Sequence, residues 1–159
     1  MKKEHKYAAT VTWRGNKGKG TIDYKNYERS YEISIANKPQ ILGSSDVAFR
    51  GDGGKYNPEE LLITSIASCH MLWYLHLCAE KGIVVTAYED QVYGVMNINA
   101  DGSGYFSKVI LNPTVTISEI SMKEKAIELH QKANEFCFIA NSINFPIEHI
   151  VKIELEEKN

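Results

Sequence analysis

Apolar and polar positions follow two different rhythms along this chain, and the change between them marks its elements. Over Tyr7 to Trp13 the alternation is partial, with Val11 and Trp13 on one side. A period of two is that of a half-buried strand. Gly15-Asn16-Lys17-Gly18 reads as a turn. Gly20 to Tyr24 and Tyr31 to Ile35 then read as short strands. Residues 36–56 carry Pro39, Gly43, Gly51, Gly53 and Gly54 and no clear period. They predict a long irregular loop, and a loop of that length in a compact domain is often functional.

A helix is predicted over residues 58–81. Asn57 suits the N-cap, Pro58 the first helical position, and Glu59 and Glu60 the positive end of the helix dipole. Glu60 sits where it can bond back to the cap. Lys81 and Gly82 mark the end. Leu61 to Ala79 contains 19 residues without Lys, Arg, Asp or Glu. That length is enough to span a bilayer. Thr64, Ser65, Ser68, His70 and His76 inside it, and Glu60 and Glu80 at its ends, favour a helix buried in protein. So long a central helix is a large core for one small chain, which points to a dimer interface.

Val84 to Val95 and Phe106 to Ile117 read as two long strands joined by the turn Asn97-Ile98-Asn99-Ala100-Asp101-Gly102. Val109, Leu111, Val115 and Ile117 form the apolar face of the second. Ser121-Met122-Lys123-Glu124 has the spacing of a capping box. The helix it opens carries a stripe of Ala126, Leu129 or His130, Ala133, Cys137 and Ala140, and Pro146 marks its end. His149 to Leu155 reads as a last strand with Val151, Ile153 and Leu155 inward. Strands, helix, two strands, helix and strand make an α+β fold. No linker or internal repeat divides the chain, so residues 1–159 are expected to form a single domain.

Composition adds limits to this picture. The 159 residues are 43% apolar and 24% charged, ordinary globular usage, and the length suits one domain. The net charge of −2 argues against a general nucleic-acid binder. Residues 1–56 carry 11 basic and 6 acidic side chains, and residues 57–159 carry 7 and 14. The expected meaning is two kinds of surface. Cys69, Cys78 and Cys137 are too few for a disulfide framework. The opening residues Met1 to Lys6 are charged and no apolar signal segment follows. A cytoplasmic, reducing setting is expected, where cysteines matter for reactivity.

Cys69 lies mid-helix in Ser68-Cys69-His70. A thiol is a nucleophile only as thiolate, so it needs a cation or donor nearby. The ordinary alternative is a small core residue. Cys78 is nine residues on, about half a turn off Cys69 in direction, so the two cannot pair within the helix. His76 is about 10 Å along the axis from Cys69 and His70 points about 100° away. Neither makes a Cys–His catalytic pair, and Cys69, His70, His76 and Cys78 do not share the one face that zinc would need. Cys137 lies on the second helix. If the helices pack, the two thiols come within reach, and a disulfide then needs Cα atoms about 4.4–6.8 Å apart. Arg50 stands in Phe49-Arg50-Gly51-Asp52-Gly53-Gly54, either as a solvated loop residue or as a guanidinium that favours a thiolate. Glu59 is first of all a residue of the helix start. There is no nucleophile elbow, phosphate loop or dinucleotide fingerprint.

Asn57-Pro58-Glu59-Glu60-Leu61-Leu62, then Ser65 to Cys69, then a second cysteine at Cys137, is similar to the osmotically induced / organic hydroperoxide resistance family (OsmC/Ohr). The similarity extends over nearly the whole chain, from the strand with Trp13 through the glycine-rich loop and the long later strands. The second-cysteine region departs from the family, which commonly has Cys-Pro where this chain has Cys137-Phe138. Ser68 to Glu80 resembles an OsmC-like branch more than the peroxidases proper.

The resemblance implies an intertwined homodimer, with antiparallel sheets around two central helices. It implies a thiol peroxidase without cofactor or metal, whose partners are an organic hydroperoxide and an external dithiol reductant, with no nucleic acid and no membrane. Cys69 matches the peroxidatic cysteine and Cys137 the resolving one. Glu59 matches the glutamate that orients the catalytic arginine, and Arg50 that arginine. Glu59 lies ten residues before Cys69, about 15 Å along a straight helix, too far to act on its own chain's thiol. If Glu59 and Arg50 serve a thiolate, a second subunit supplies them. Leu72, Trp73 and Phe136 would favour organic over hydrogen peroxide. Two other readings keep the fold: a non-enzymatic dimer binding a small molecule or lipid, and a redox sensor whose disulfide alters a partner interaction.

Overall fold

The computed structural model of the chain describes residues 3–157. Its backbone contacts group into two compact units, residues 1–61 and 62–159.

The first unit is built on an antiparallel sheet of three short strands, β1 (Thr10–Trp13), β2 (Tyr31–Ser34) and β3 (Ile41–Gly43), in that order. Val11 faces Ile33 and Trp13 faces Tyr31 across β1 and β2. Gly43 faces Tyr31 across β2 and β3. A side chain at Gly43 would meet the Tyr31 ring, so glycine is what the close approach requires. The strand expected over Gly20–Tyr24 is a run of turns and bends. Polar side chains capture the backbone there: Asn16 Oδ1 accepts from Gly18 and Gly20 N–H, each at 2.9 Å, and Asp23 Oδ1 accepts from Lys25 N–H at 2.7 Å. Such local bonds compete directly with a sheet ladder. The expected loop over 36–56 is more ordered than its composition suggests. It contains β3 and a short 3₁₀ turn, Val47–Phe49. Asp46 caps that turn by accepting from Ala48 N–H at 2.7 Å.

Helix α1 (Pro58–Glu80) starts as expected. Asn57 Oδ1 accepts from Glu60 N–H at 2.8 Å, and Glu60 Oε2 accepts from Asn57 N–H at 3.1 Å. That reciprocal pair is a capping box. Within the second unit α1 buries Ile66, Ala67, His70, Tyr74, Leu77 and Cys78. The burial is one-sided, and Leu72 stays 63% exposed.

The two long strands are each broken in the middle. The first becomes β4 (Val85–Asp90) and β5 (Tyr93–Ile98), the second β6 (Gly104–Leu111) and β7 (Pro113–Ile117). The final strand is likewise β8 (Ile147–His149) and β9 (Lys152–Leu155). The halves belong to different sheets, ordered β4-β7-β9 and β5-β6-β8. The break has a cause in side chains. Asp90 Oδ1 accepts from Asn112 N–H at 2.7 Å, and Asn112 Nδ2 donates to Gln91 O at 2.8 Å. Pro113 follows without an N–H to continue the ladder. The sheets are mixed where antiparallel ones were expected: β6–β8 and β7–β9 run parallel. The chain reaches β8 and β9 only after crossing through α2, and a crossover is what parallel neighbours need.

Helix α2 (Lys123–Phe136) is shorter than its stripe suggested, and the Ser121–Glu124 capping box does not form. A 3₁₀ turn, Ile120–Met122, leads into the helix, and Met122 occupies the cap without a side-chain bond. The helix ends at Phe136, ten residues before Pro146, because Cys137 turns extended at φ −65° and ψ 113°. Asn141 Nδ2 donates to Glu135 O at 2.9 Å and takes up a terminal carbonyl. Leu129, Ala133 and Ala126 pack with Tyr74, Leu77, Val115, Ile117 and Ile153 in one core cluster. Ile66, Ala67, Val109 and Leu111 form another. Of the expected inward residues of the last strand, Ile153 is buried and Leu155 is 47% exposed.

Candidate active site

The second unit brings Cys69 and Cys137 together. α1 presents Cys69 partly exposed, beside the buried stripe of Ile66, His70 and Tyr74. Cys137 is fully buried at the end of α2. Its Sγ accepts from Ala140 N–H at 3.4 Å. Its pKa is pushed up to about 11, first by burial and then by the Cys69 thiol beside it, which favours the protonated form. The N–H groups of Ala140 and Ile139 oppose that rise. All three cysteines are free thiols. Cys78 is buried in the core, its thiol pushed up by burial, and is remote in direction from Cys69 as the helical spacing requires.

Aromatic rings surround the thiol pair. Trp73 is one turn beyond Cys69, and its ring lies 5.2 Å from Phe136 and 5.6 Å from Phe138, the two residues flanking Cys137. An open recess of about 250 Å³ is lined by Leu72, Trp73 and His76. His76 pairs with Glu80 at 3.4 Å on the exposed side.

A buried histidine cluster lies on the adjacent stripe of α1, and the sequence reading missed it. His70 Nε2 and His130 Nδ1 are 2.9 Å apart. His149 from β8 lies with its ring 4.8 Å from that of His70, and Tyr74 stacks on His130 at 3.8 Å. Burial pushes the pKa of both His70 and His130 down to about 3, with neighbouring imidazoles adding to the effect. His149 is lowered by burial too. Among the described residues no group of three such side chains has the geometry to hold a metal ion. The one available signal was that His130 shares a helix face with Ala126 and Ala133, where a polar residue in an apolar stripe calls for a buried partner.

The first unit holds Arg50 and Glu59. Arg50 has φ 65° at the end of the 3₁₀ turn, and its guanidinium carbon is 5.9 Å from the Tyr24 ring centre. Glu59 Oε2 is buried without a hydrogen-bond partner. No ion pair joins the two among the described residues. Arg29, which the sequence reading passed over, is clasped between Tyr24 and Tyr27 at 4.3 and 4.1 Å. It donates to the carbonyls of both tyrosines at 2.6 Å.

The sequence profile of the OsmC-like protein family matches residues 51–152. The chain belongs to the OsmC-like family. The uncharacterised protein YmaD of Bacillus subtilis (strain 168) is 24% identical over 149 residues, covering 91% of each chain. An OsmC-like protein of unknown function from Vibrio cholerae O1 biovar eltor str. N16961 is 27% identical. It has a TM-score of 0.84 and covers 93% of this chain and 99% of that one. An organic hydroperoxide resistance protein from Elizabethkingia anophelis is 17% identical, with a TM-score of 0.70, and covers 98% and 100%.

Proposed function

We propose that this OsmC-like protein is a thiol peroxidase that reduces organic hydroperoxides. The observation that carries the reading is the Cys69–Cys137 contact. Cys137 is buried and holds its proton, so Cys69, the accessible member, is the thiol that attacks. Its thiolate attacks one peroxide oxygen. The O–O bond breaks, the alkoxide leaves and takes up a proton as alcohol, and Cys69 becomes a sulfenic acid. Cys137 then attacks the Cys69 sulfur, water leaves, and a disulfide remains. An external dithiol returns two electrons by exchange and restores both thiols. Trp73, Phe136 and Phe138 offer an apolar wall to the organic part of the substrate.

The working form in this proposal is a homodimer in a reducing compartment. Val11, Leu42 and Val47 are 66%, 50% and 65% exposed in the first unit, and Leu72 and Phe138 are 63% and 69% exposed in the second. A second copy would cover such apolar surface. It would also deliver Arg50 and Glu59 to a thiolate that its own chain's Glu59 cannot reach along α1. The buried, unpartnered Glu59 Oε2 supports that role, because such an oxygen calls for a donor.

The test is thiol counting by mass spectrometry after mixing reduced protein with cumene hydroperoxide. Rapid loss of two thiols with a linked Cys69–Cys137 peptide supports the reading. Slow or absent loss in folded protein, or no loss of peroxidase activity in Cys69→Ser, overturns it.

A further inference from the structure

The His70–His130 pair is a cross-link between helices placed next to the thiols. His70 is adjacent to Cys69 in α1, and His130 is two turns before Cys137 in α2. Both rings are almost fully buried, at 1% and 2% exposure. Their contact at 2.9 Å joins Nε2 of one to Nδ1 of the other. Two neutral imidazoles can share one such bond only if one donates and the other accepts, so the contact fixes complementary tautomers.

The contacts around it are of another kind. Ala133, Leu129 and Tyr74 meet through apolar surface, and apolar attraction has no direction. A hydrogen bond does have direction, and it weakens steeply when bent or stretched. Sliding one helix by a single residue displaces it about 1.5 Å. A disulfide accepts Cα separations over a range of only about 2.4 Å. A slip of two residues between α1 and α2, about 3 Å, would exceed that range and take Cys69 and Cys137 out of bonding distance.

We propose that the His70–His130 hydrogen bond is the register lock that holds Cys69 in position for Cys137, making both histidines positioning residues for disulfide formation. The proposal rests on the two-cysteine reading for its biological use, but the geometry it concerns exists without peroxide. The groups facing the pair are His149 from β8 and Tyr74 from α1, with Tyr88 and Asp90 of β4 beyond Tyr74. Buried His70 Nδ1, His130 Nε2 and His149 Nε2 have no partner. The one bond the pair makes is therefore held at a cost, and a structure that needed only packing would be served by apolar residues there.

The experiment compares His130→Leu, which fills the space without the bond, with His130→Asn, which keeps a hydrogen-bonding atom near the Nδ1 position. Thermal melts establish that each is folded, and His70→Gln, which keeps an atom near Nε2, is measured as well. Two readouts are taken. The first is the equilibrium between the Cys69–Cys137 disulfide and glutathione, which involves no peroxide. The second is the rate of disulfide formation after peroxide, with the single-turnover rate of peroxide loss reporting the first step and dimedone trapping reporting how long the Cys69 sulfenic acid persists. His130→Leu is expected to lower the disulfide equilibrium and the second-step rate about tenfold or more, since misplacement on the ångström scale has effects of that size. The rate of peroxide loss in a single turnover should stay within about twofold while dimedone labelling rises, because the sulfenic acid waits longer for Cys137; His130→Asn should recover most of the loss, and His70→Gln should lose far less than His130→Leu. Disulfide formation in His130→Leu matching wild type, or Asn giving no recovery over Leu, overturns the proposal. If wild type forms the disulfide in glutathione but is inert to peroxide, the peroxidase reading falls and the register lock stands.

Discussion

Trp73 lies against Phe136 with ring centres 5.2 Å apart, so that an aromatic residue one turn past Cys69 meets one immediately before Cys137. The two thiols and the two rings are thus set by the same pairing of α1 with the end of α2. Replacing Trp73 with Ala removes the wall and opens the recess it lines. KM for cumene hydroperoxide should rise about fivefold to tenfold, against a much smaller change for hydrogen peroxide, because a lost aromatic contact is worth about 1–1.5 kcal/mol. Steady-state kinetics with both peroxides checks this. Equal losses for both would show that Trp73 serves the fold and not the substrate.

The two cysteines should fail in different ways. In the proposed cycle Cys69→Ser removes the attacking sulfur, and peroxide consumption should fall to the background rate. Cys137→Ser leaves the first step intact. Its Cys69 sulfenic acid should accumulate after one turnover, visible as one dimedone adduct per chain by mass spectrometry. Disulfide-linked peptides should be absent from both. A Cys137→Ser protein that turned over at the wild-type rate would show that the reductant attacks the sulfenic acid directly.

How far the sequence foretold this site differs from residue to residue. The start of α1 was legible because capping is local: Asn57 and Glu60 are three positions apart and bond to each other. The facing directions of Cys69 and Cys78 were legible for the same reason, since both follow from one helix. The breaks at residues 91–92 and 112 were not read from an apolar run such as Phe106 to Ile117. The pairing of Asp90 with Asn112 that accompanies them spans 22 residues. His70 and His130 are 60 apart, and no local pattern announces a partner at that distance. The end of α2 was misplaced because Pro146 is a strong signal, whereas the real stop is the extended backbone of Cys137.

Acid should destabilise the fold through its buried imidazoles. His70 and His130 have pKa values near 3 when folded, against the ordinary 6.5. Their protonated forms are therefore favoured in the unfolded chain. The stability tied to their neutrality is fully present above pH 6.5 and is lost as pH falls from there towards 3. The slope is about 1.4 kcal/mol per pH unit for each fully titrating histidine. Thermal melts at pH 7.5 and 5.5 should differ by several degrees, with the lower Tm at pH 5.5. In His130→Leu the difference should shrink. A Tm independent of pH across this window would mean that the imidazoles are hydrated in solution.

Subunit mixing tests whether two chains complete each thiol site. Arg50→Ala alone and Cys69→Ser alone should both be inactive, the first with its thiol and the second with its arginine intact. Unfolding and refolding the two together in equal amounts gives about half heterodimers. Each heterodimer has one site in which Cys69 of one chain meets Arg50 of the other. About a quarter of wild-type activity should return, as expected for random pairing in a two-fold dimer. If Arg50 served the thiol of its own chain, every site in the mixture would lack one of the two residues and no activity would return. Activity in Arg50→Ala alone would show that another group favours the thiolate, and Arg29 is then the residue to replace next, since it is held rigidly between Tyr24 and Tyr27.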